Sequence, residues 1–401
     1  MVPEGWKRTT VGDLCNFING NGFKSSEWSD KGLPIIRIQN LNGSAEFNYF
    51  SGQANPRWLV NPGDILFAWA GTKGVSFGAK RWTGPQGVLN QHIFKVSPKT
   101  EVNTDWLYEE LRTVTEKIEN QAHGFKSTLV HVQKADITEQ VVNLPPASEQ
   151  KKIAKILSTW DLAITATERL LENSQQQRKA LMQKLLTGNK RLPGFHIEWQ
   201  KLRLEQIFSR VTTKNTEANT NVVTISAQHG LIRQEDFFNK TVASEILDNY
   251  FLLNKGQFAY NKSYSNGYPM GAIKRLNKYE KGVVTTLYIC FEISDERISS
   301  PAFFEHYFES GLLNKGLSKI ANEGGRAHGL LNVKPSDFFD LTVFVPDALE
   351  QKAIADVLNI SDEEIKILQT KLDYLKEEKK GLIQQLLSGK RRVRVDELEV
   401  A

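Results

Sequence analysis

The stretch EQKKIAKILSTWDLAITATERLLENSQQQRKALMQKLL, Glu149 to Leu186, contains neither glycine nor proline and returns as EQKAIADVLNISDEEIKILQTKLDYLKEEKKGLIQQLL, Glu350 to Leu387. The two copies superpose at a constant offset of 201 residues without a gap. Apolar residues recur with the alternating 4-3 spacing of a coiled-coil seam. In the first copy they are Ile153, Leu157, Trp160, Ile164, Leu171, Leu181 and Leu185. In the second they are Ile354, Leu358, Ile365, Leu368, Leu372, Leu375, Leu382 and Leu386. Thr167, Ser174 and Arg178 fill seam places in one copy, as Ser361 and Lys379 do in the other, so the seam has a polar middle that is expected to set register. Pro145 and Pro146 block a helix from running backwards, Ser148 is the expected N-cap, and Gly188 and Gly389 are expected stops. At 1.5 Å per residue each helix makes a rod of roughly 57 Å.

Before each rod lies a region of turns, aromatics and short β-like runs. In residues 1–148 the spacing predicts strands at Pro34–Ile38, Gly63–Trp69, Gly87–Leu89 and His92–Val96. It predicts a helix over Asp105–Gln121 and a last strand over Ile137–Leu144. Residues 193–347 repeat this outline: Trp6 with Leu14 answers to Trp199 with Ile207, Ile35–Ile38 to Val222–Ile225, Gly63–Phe67 to Gly256–Ala259, and Gly87-Val88 to Gly282-Val283. The plan is globular region, rod, globular region, rod, with near-identical rods and divergent globular surfaces.

Bulk composition narrows the class. At 401 residues, 40% apolar and 24% charged, the chain reads as a globular protein of several units. No apolar run reaches the ~20 residues of a membrane span, and no signal peptide opens the sequence, so a cytoplasmic protein without a membrane partner is expected. Two distant cysteines, Cys15 and Cys290, agree with a reducing compartment. A net charge of +5 leans towards a polyanionic partner.

An exposed apolar stripe on each rod is best covered by the other rod. With some 150 residues between them, the chain can return and pair the rods antiparallel. Such a pseudo-dimer suits a two-part target. DNA presents the same groove to one face about every 34–36 Å, so two readers need targets about a turn apart.

At this point the sequence resembles the specificity subunits of type I restriction–modification systems. The resemblance rests on Leu144-Pro145-Pro146-Ala147-Ser148-Glu149-Gln150-Lys151-Lys152-Ile153 and Val345-Pro346-Asp347-Ala348-Leu349-Glu350-Gln351-Lys352-Ala353-Ile354 at the head of each rod. Lys179–Gly188 and Lys380–Gly389 carry it at the far ends, with Pro34–Leu41 and Pro62–Leu66 in the first globular region. It covers essentially the whole chain, and Asn221–Ala227 is its weakest element. It implies an α+β fold: two similar target-recognition domains of mixed α/β character, separated by two long helices packed as an antiparallel, pseudo-two-fold symmetric coiled coil. The segments expected are recognition domain 1 (1–148), spacer helix 1 (149–190), recognition domain 2 (191–347), spacer helix 2 (348–390) and a tail (391–401). It further implies one domain per half of a bipartite, asymmetric double-stranded DNA target. Two methyltransferase subunits and restriction/translocase subunits would dock on the helices. S-adenosylmethionine, ATP and Mg would sit on those partners, and no cofactor or metal on this chain.

Base reading needs side-chain donors and acceptors, and phosphate contact needs Lys or Arg. Candidates in the first domain are Asn21, Lys24 and Ser25; Arg37, Gln39, Asn40 and Asn42; Thr72 and Lys73; and Lys126 and Ser127. In the second they are Lys214 and Asn215; Ser226, Gln228 and His229; Asn261, Lys262, Ser263, Tyr264 and Asn266; Lys274 and Arg275; and Arg326 and His328. Each can equally be an ordinary solvated loop residue. Trp28, Trp58, Trp69 and Trp82 are read as core. On the rods, Lys151, Lys152, Lys155, Lys179, Lys184, Lys190 and Arg191 can face phosphates, a partner or simply water. The run Lys390–Arg394 is read as local.

No P-loop is present, and Asn143-Leu144-Pro145-Pro146-Ala147 lacks the pattern with which adenine methyltransferases grip a flipped base. A non-catalytic reader is therefore expected. The alternatives are a coiled-coil scaffold that binds no nucleic acid, or a fused restriction–methylation enzyme with an unrecognised site.

Overall fold

Four helices organise the chain: α1 (Thr104–Gln121), α2 (Ala147–Leu185), α3 (Pro301–Glu309) and α4 (Ala348–Leu386). The computed structural model describes residues 2–121, 129–238, 247–321 and 331–395. It divides into two units. The first comprises residues 1–168 and 371–401, the second residues 169–370, so each unit holds one half of α2 and one half of α4.

In the first unit a four-stranded antiparallel sheet runs in the order Cys15–Asn19, Ile93–Pro98, Ile65–Ala68, Gly78–Arg81. In the second, the order Phe208–Val211, Ile289–Ile293, Phe258–Asn261, Ala272–Arg275 is the same sheet again. Each is entered by a left-handed glycine, Gly63 at φ 94° and Gly256 at φ 93°, a turn geometry that a Cβ disfavours. The correspondence of Gly87-Val88 with Gly282-Val283 holds: Val88 pairs in parallel with Ile35, and Val283 with Val222.

Two expected strands are shortened, both because a side chain captures a backbone N–H. The strand Pro34–Ile38 stops at Ile36. Asn40 Oδ1 accepts the Arg37 N–H at 2.9 Å, and Ile38–Leu41 turns helical. The expected strand Ile137–Leu144 is only Val141–Leu144. Asp136 Oδ2 accepts the Gln133 N–H at 2.7 Å, and Lys134–Thr138 forms a short helix that buries Ile137. Helix α2 starts at Ala147, so Ser148 lies inside the first turn instead of capping it. In α4 the capping role falls to Asp347, whose Oδ1 accepts from Leu349 N and Glu350 N at 2.9 and 3.2 Å.

Both rods are 39-residue helices. Within the first unit Glu149 pairs with Arg392, Asp161 with Lys379 and Glu168 with Lys376. Within the second, Ser174 meets Glu364, Arg178 meets Asp362 and Arg191 meets Glu350. Rising numbers on one helix meet falling numbers on the other, so the helices run antiparallel. Ile153, Leu157, Leu171, Leu185, Ile354, Leu358, Leu372 and Leu386 are buried; Trp160, Ile164, Leu181, Ile365, Leu368, Leu375 and Leu382 are half-buried. The polar middle pairs across the helices. Lys379, 4% exposed, reaches Asp161 at 2.6 Å and Glu109 of α1 at 3.4 Å. At the repeat-equivalent place Arg178 grips Asp362, with His306 of α3 3.9 Å from the same carboxylate. Each cation meets a partner in one register only.

The head of each rod is locked into its globular region. Glu149 accepts the Trp6 indole N–H at 3.2 Å and the Arg392 guanidinium; Glu350 accepts from Trp199 at 3.0 Å and from Arg191 twice at 2.6 Å. Beside them Gln150 holds Asn103 N and Pro145 O, and Gln351 holds Ser300 N and Pro346 O, all within 2.8–2.9 Å. The helix stops set this up. Gly188 and Gly389 take φ 72° and 71°, and the chain turns back through Lys190 N to Lys184 O and Arg391 N to Gln385 O. The next residue is the arginine that reaches the glutamate. Arg191 and Arg392 thus serve the fold, the first correcting its placement among solvent-facing cations. The rod heads also enter the two main cores, Ile153 and Leu157 beside Trp106 and Phe67, and Ile354 and Leu358 beside Phe208 and Phe291.

Glu350 is fully buried, and removing its cation leaves an unpaired buried charge. Arg191→Ala is expected to lower the urea midpoint clearly, because the buried Glu350 carboxylate loses its cation. Lys184→Ala, on an exposed face, is expected to leave the midpoint unchanged.

Candidate nucleic-acid interface

In the first unit the reader candidates divide by how much of each side chain is already committed. Asn40 is 6% exposed and spends its amide on Ser44 O and Glu46 O, so it closes a loop and offers nothing outward. Arg37 donates to Asn48 Oδ1 at 2.8 Å and lies 4.3 Å from the Trp28 ring centroid. Trp28 is 41% exposed, which corrects its reading as core: the guanidinium, not the protein interior, covers its face. Trp82 is buried, and Trp58 and Trp69 are half-buried. Gln39 and Asn42 are exposed on the same loop as Arg37, as are Lys24 and Ser25 on a separate turn. Asn21 is half-buried and pairs its backbone with Asn90. Thr72 fixes a turn through Ser76 at 2.6 Å, leaving Lys73 exposed beside it. Lys126 and Ser127 lie outside the described residues.

Sequence reasoning missed a second exposed group here. Trp69 has His92 and His131 against it, with ring centroids 5.2 and 4.9 Å away, and its indole donates to Gln91 O. Strand pairing of Leu129–His131 with Ala70–Thr72 makes this group, and no local pattern announces it.

In the second unit the structure gathers four candidates in one cleft of about 450 Å³: Gln228, His229, Lys274 and Arg275. Three of its cations are neutralised, Lys274 by Glu309, Arg275 by Glu305 and Arg178 by Asp362, and Lys278 lies exposed in its wall. Gln228 and His229 sit exposed on the turn between Val223–Ser226 and Gly230–Arg233, and Ser226 Oγ accepts the His229 N–H at 3.2 Å. The remaining candidates lie elsewhere. Asn215, 1% exposed, closes its loop on Asn219, and Lys214 donates to Asn249 O at 2.7 Å. Asn261 accepts the Ser263 N–H, and Lys262 reaches Val333 O at 3.3 Å, its pKa lowered by burial. Tyr264 is 64% exposed, and Asn266 is exposed on the same hairpin. Arg326 and His328 lie outside the described residues. Glu309, missed in the sequence, lines the cleft, and the Tyr268 hydroxyl, also missed, contacts its carboxylate.

The first unit has another cleft, about 650 Å³, walled by Val141, Ile383 and Leu387, with Arg8, Lys117 and Lys390 around it. Glu110 lines it, 3% exposed, with Oε2 unpartnered among the described residues. Burial pushes its carboxyl up to about 7.

Residues 3–173 match the family described as the type I restriction modification DNA specificity domain. Along its length the chain is similar to type I restriction specificity subunits. It is 24% identical over 422 residues to the type I restriction enzyme MjaVIII specificity subunit of Methanocaldococcus jannaschii, covering 98% of this chain and 94% of that one. It is 29% identical over 190 residues to the Escherichia coli EcoBI specificity subunit, covering 47% and 39%. The fold matches that of the type I restriction–modification S subunit from M. genitalium with a TM-score of 0.59 at 16% identity, over 96% of both chains. These relatives are specificity subunits, not methyltransferase or restriction subunits. Among the described residues no helix is long and apolar enough to cross a membrane.

The Glu110 carboxyl binds its proton more tightly folded than unfolded. The contribution of Glu110 to stability is therefore fully present below the ordinary glutamate range and is lost as pH rises through about 7. Glu110→Gln is expected to stabilise the chain on the order of 3 kcal/mol at pH 8 and by about 1 kcal/mol or less at pH 5, measured by urea unfolding. An equal effect at both pH values contradicts this account.

Proposed function

We propose that this chain is the DNA-reading, non-catalytic subunit of a type I restriction–modification complex. Each globular domain reads one half of a bipartite, asymmetric target, and the antiparallel helices set the gap between the halves. The observation that carries this is a contrast between repeats. The Glu–Arg–Trp grip recurs residue for residue at the rods, and a cation meets an aspartate at the same place in both repeats, Arg178 with Asp362 and Lys379 with Asp161. The exposed side chains on the candidate reading loops differ: Gln39 and Asn42 in one domain, Gln228 and His229 in the other. Readers of different half-sites on a common frame have this distribution.

Docking of two methyltransferase subunits is supported by apolar side chains that the helix seam leaves exposed. Leu162 on α2 is 73% exposed, and Ile360 and Ile367 on α4 are 70% and 58% exposed. S-adenosylmethionine, ATP and Mg belong to the methyltransferase and restriction partners in this reading.

Inserting four residues after Ser174 lengthens α2 by about 6 Å. The expected outcome, read by methylation mapping of DNA modified by the assembled complex, is an altered gap between two unchanged half-sites. Replacing residues 1–143 by another reader is expected to change one half-site alone. A single uninterrupted footprint on DNA, or binding by the assembled complex that is indifferent to sequence, overturns the proposal.

A further inference from the structure

The turn Ala227–His229 is held from below by a side chain of the hairpin that follows Asn261. The Tyr268 hydroxyl lies 3.0 Å from Ala227 O, contacts the Glu309 carboxylate of α3, and accepts from Lys274 Nζ at 3.1 Å. Lys274 in turn pairs with Glu309 and sits 4.8 Å from the Tyr268 ring centroid. Burial and the Glu309 carboxylate both hold the Tyr268 hydroxyl in its protonated form. One phenol therefore ties together a turn, a strand and a helix. From above, Ser226 Oγ fixes the turn through the His229 N–H, and Gly230 at φ 74° lets the chain leave it.

A turn fixed at this many points carries two side chains that have no bonding partner among the described residues, Gln228 and His229. The chemistry around them favours bases over phosphates. A phosphate site needs uncommitted cations, whereas Lys274, Arg275 and Arg178 already face Glu309, Glu305 and Asp362, and the exposed Lys278, over the Tyr279 ring, is the cleft-lining cation left to meet a backbone phosphate beside the turn. What the turn itself presents outward is a carboxamide and an imidazole. A carboxamide offers a donor and an acceptor together, the pair that matches adenine N7 and N6 in the major groove.

We propose that Gln228 and His229 are base-reading residues of the second domain, Gln228 for an adenine, and that Tyr268 is the positioning residue that holds their turn. This rests on the DNA-reading function proposed above and assigns that function, within the second domain, to one turn.

The test uses the full chain assembled with its methyltransferase subunits, and duplexes in which each position of the second half-site is substituted in turn. Gln228→Ala is expected to lower discrimination at one A·T pair by roughly ten- to hundredfold, and His229→Ala at a neighbouring pair. The first half-site should stay unchanged for both. Tyr268→Phe keeps the ring and removes the hydroxyl. It is expected to weaken discrimination at both pairs while the binding of unrelated duplex, and its salt dependence, stay as in the parent. Both turn variants alter exposed side chains, so their result stands even if Tyr268→Phe folds poorly. Unchanged discrimination at every position of the second half-site overturns the proposal, as does a uniform loss of affinity for all sequences, which marks a phosphate contact. If the parent complex itself prefers no bipartite sequence, the DNA-reading function fails first, and that outcome is visible before any variant is made.

Discussion

A carboxylate buried at the head of each long helix is the constraint on which the rest depends. An isolated glutamate in that position is costly to desolvate, and it is tolerable only where donors surround it. Glu149 and Glu350 each find an indole N–H and a guanidinium. The indole comes from the start of a globular region, the guanidinium from just past a helix stop. Satisfying one charge therefore fixes three things together: where the globular region begins, where a helix ends, and how the other helix starts between them.

The seam continues the same logic with fewer donors. Arg178 and Lys379 occupy equivalent places, and each reaches an aspartate of the other repeat. The third member differs, Glu109 against Lys379 in one unit and His306 near Asp362 in the other. The first unit thus balances its buried cation with two carboxylates, and the second leaves one carboxylate between a guanidinium and an imidazole. That third member comes from a globular region in both units, Glu109 from α1 and His306 from α3.

The repeat, the antiparallel pairing, the glycine stops and most strands were legible because each follows from local spacing or from a duplicated pattern. The roles of Arg191 and Arg392 were not. A cation after a helix stop looks solvent-facing until its partner, 159 or 243 residues away, is known. Asn40 and Asn215 show the same limit at the candidate interface. Polar residues in loops read as possible DNA contacts, yet these two spend their amides on nearby backbone and hold their loops shut. Trp28 was placed in the core because large aromatics usually are; a stacked arginine keeps it at the surface instead. The Tyr268–Lys274–Glu309 cluster joins a hairpin to a distant helix, and no spacing rule connects them. Elements were therefore readable from the chain, whereas the committed or free state of each polar side chain was decided by tertiary neighbours.

The grip on the two glutamates bears on how the chain is wired. In the second unit Arg191 also donates to Ile197 O at 2.9 Å, across a continuous segment leading to Trp199. In the first, Arg392 donates to Glu4 O at 2.8 Å, just ahead of Trp6, although those residues stand 388 positions apart. The same bond closes the same corner, once along an unbroken backbone and once between two strands of chain that meet only in space. Backbone continuity at that corner is a matter of connectivity, and the corner itself is made by side chains.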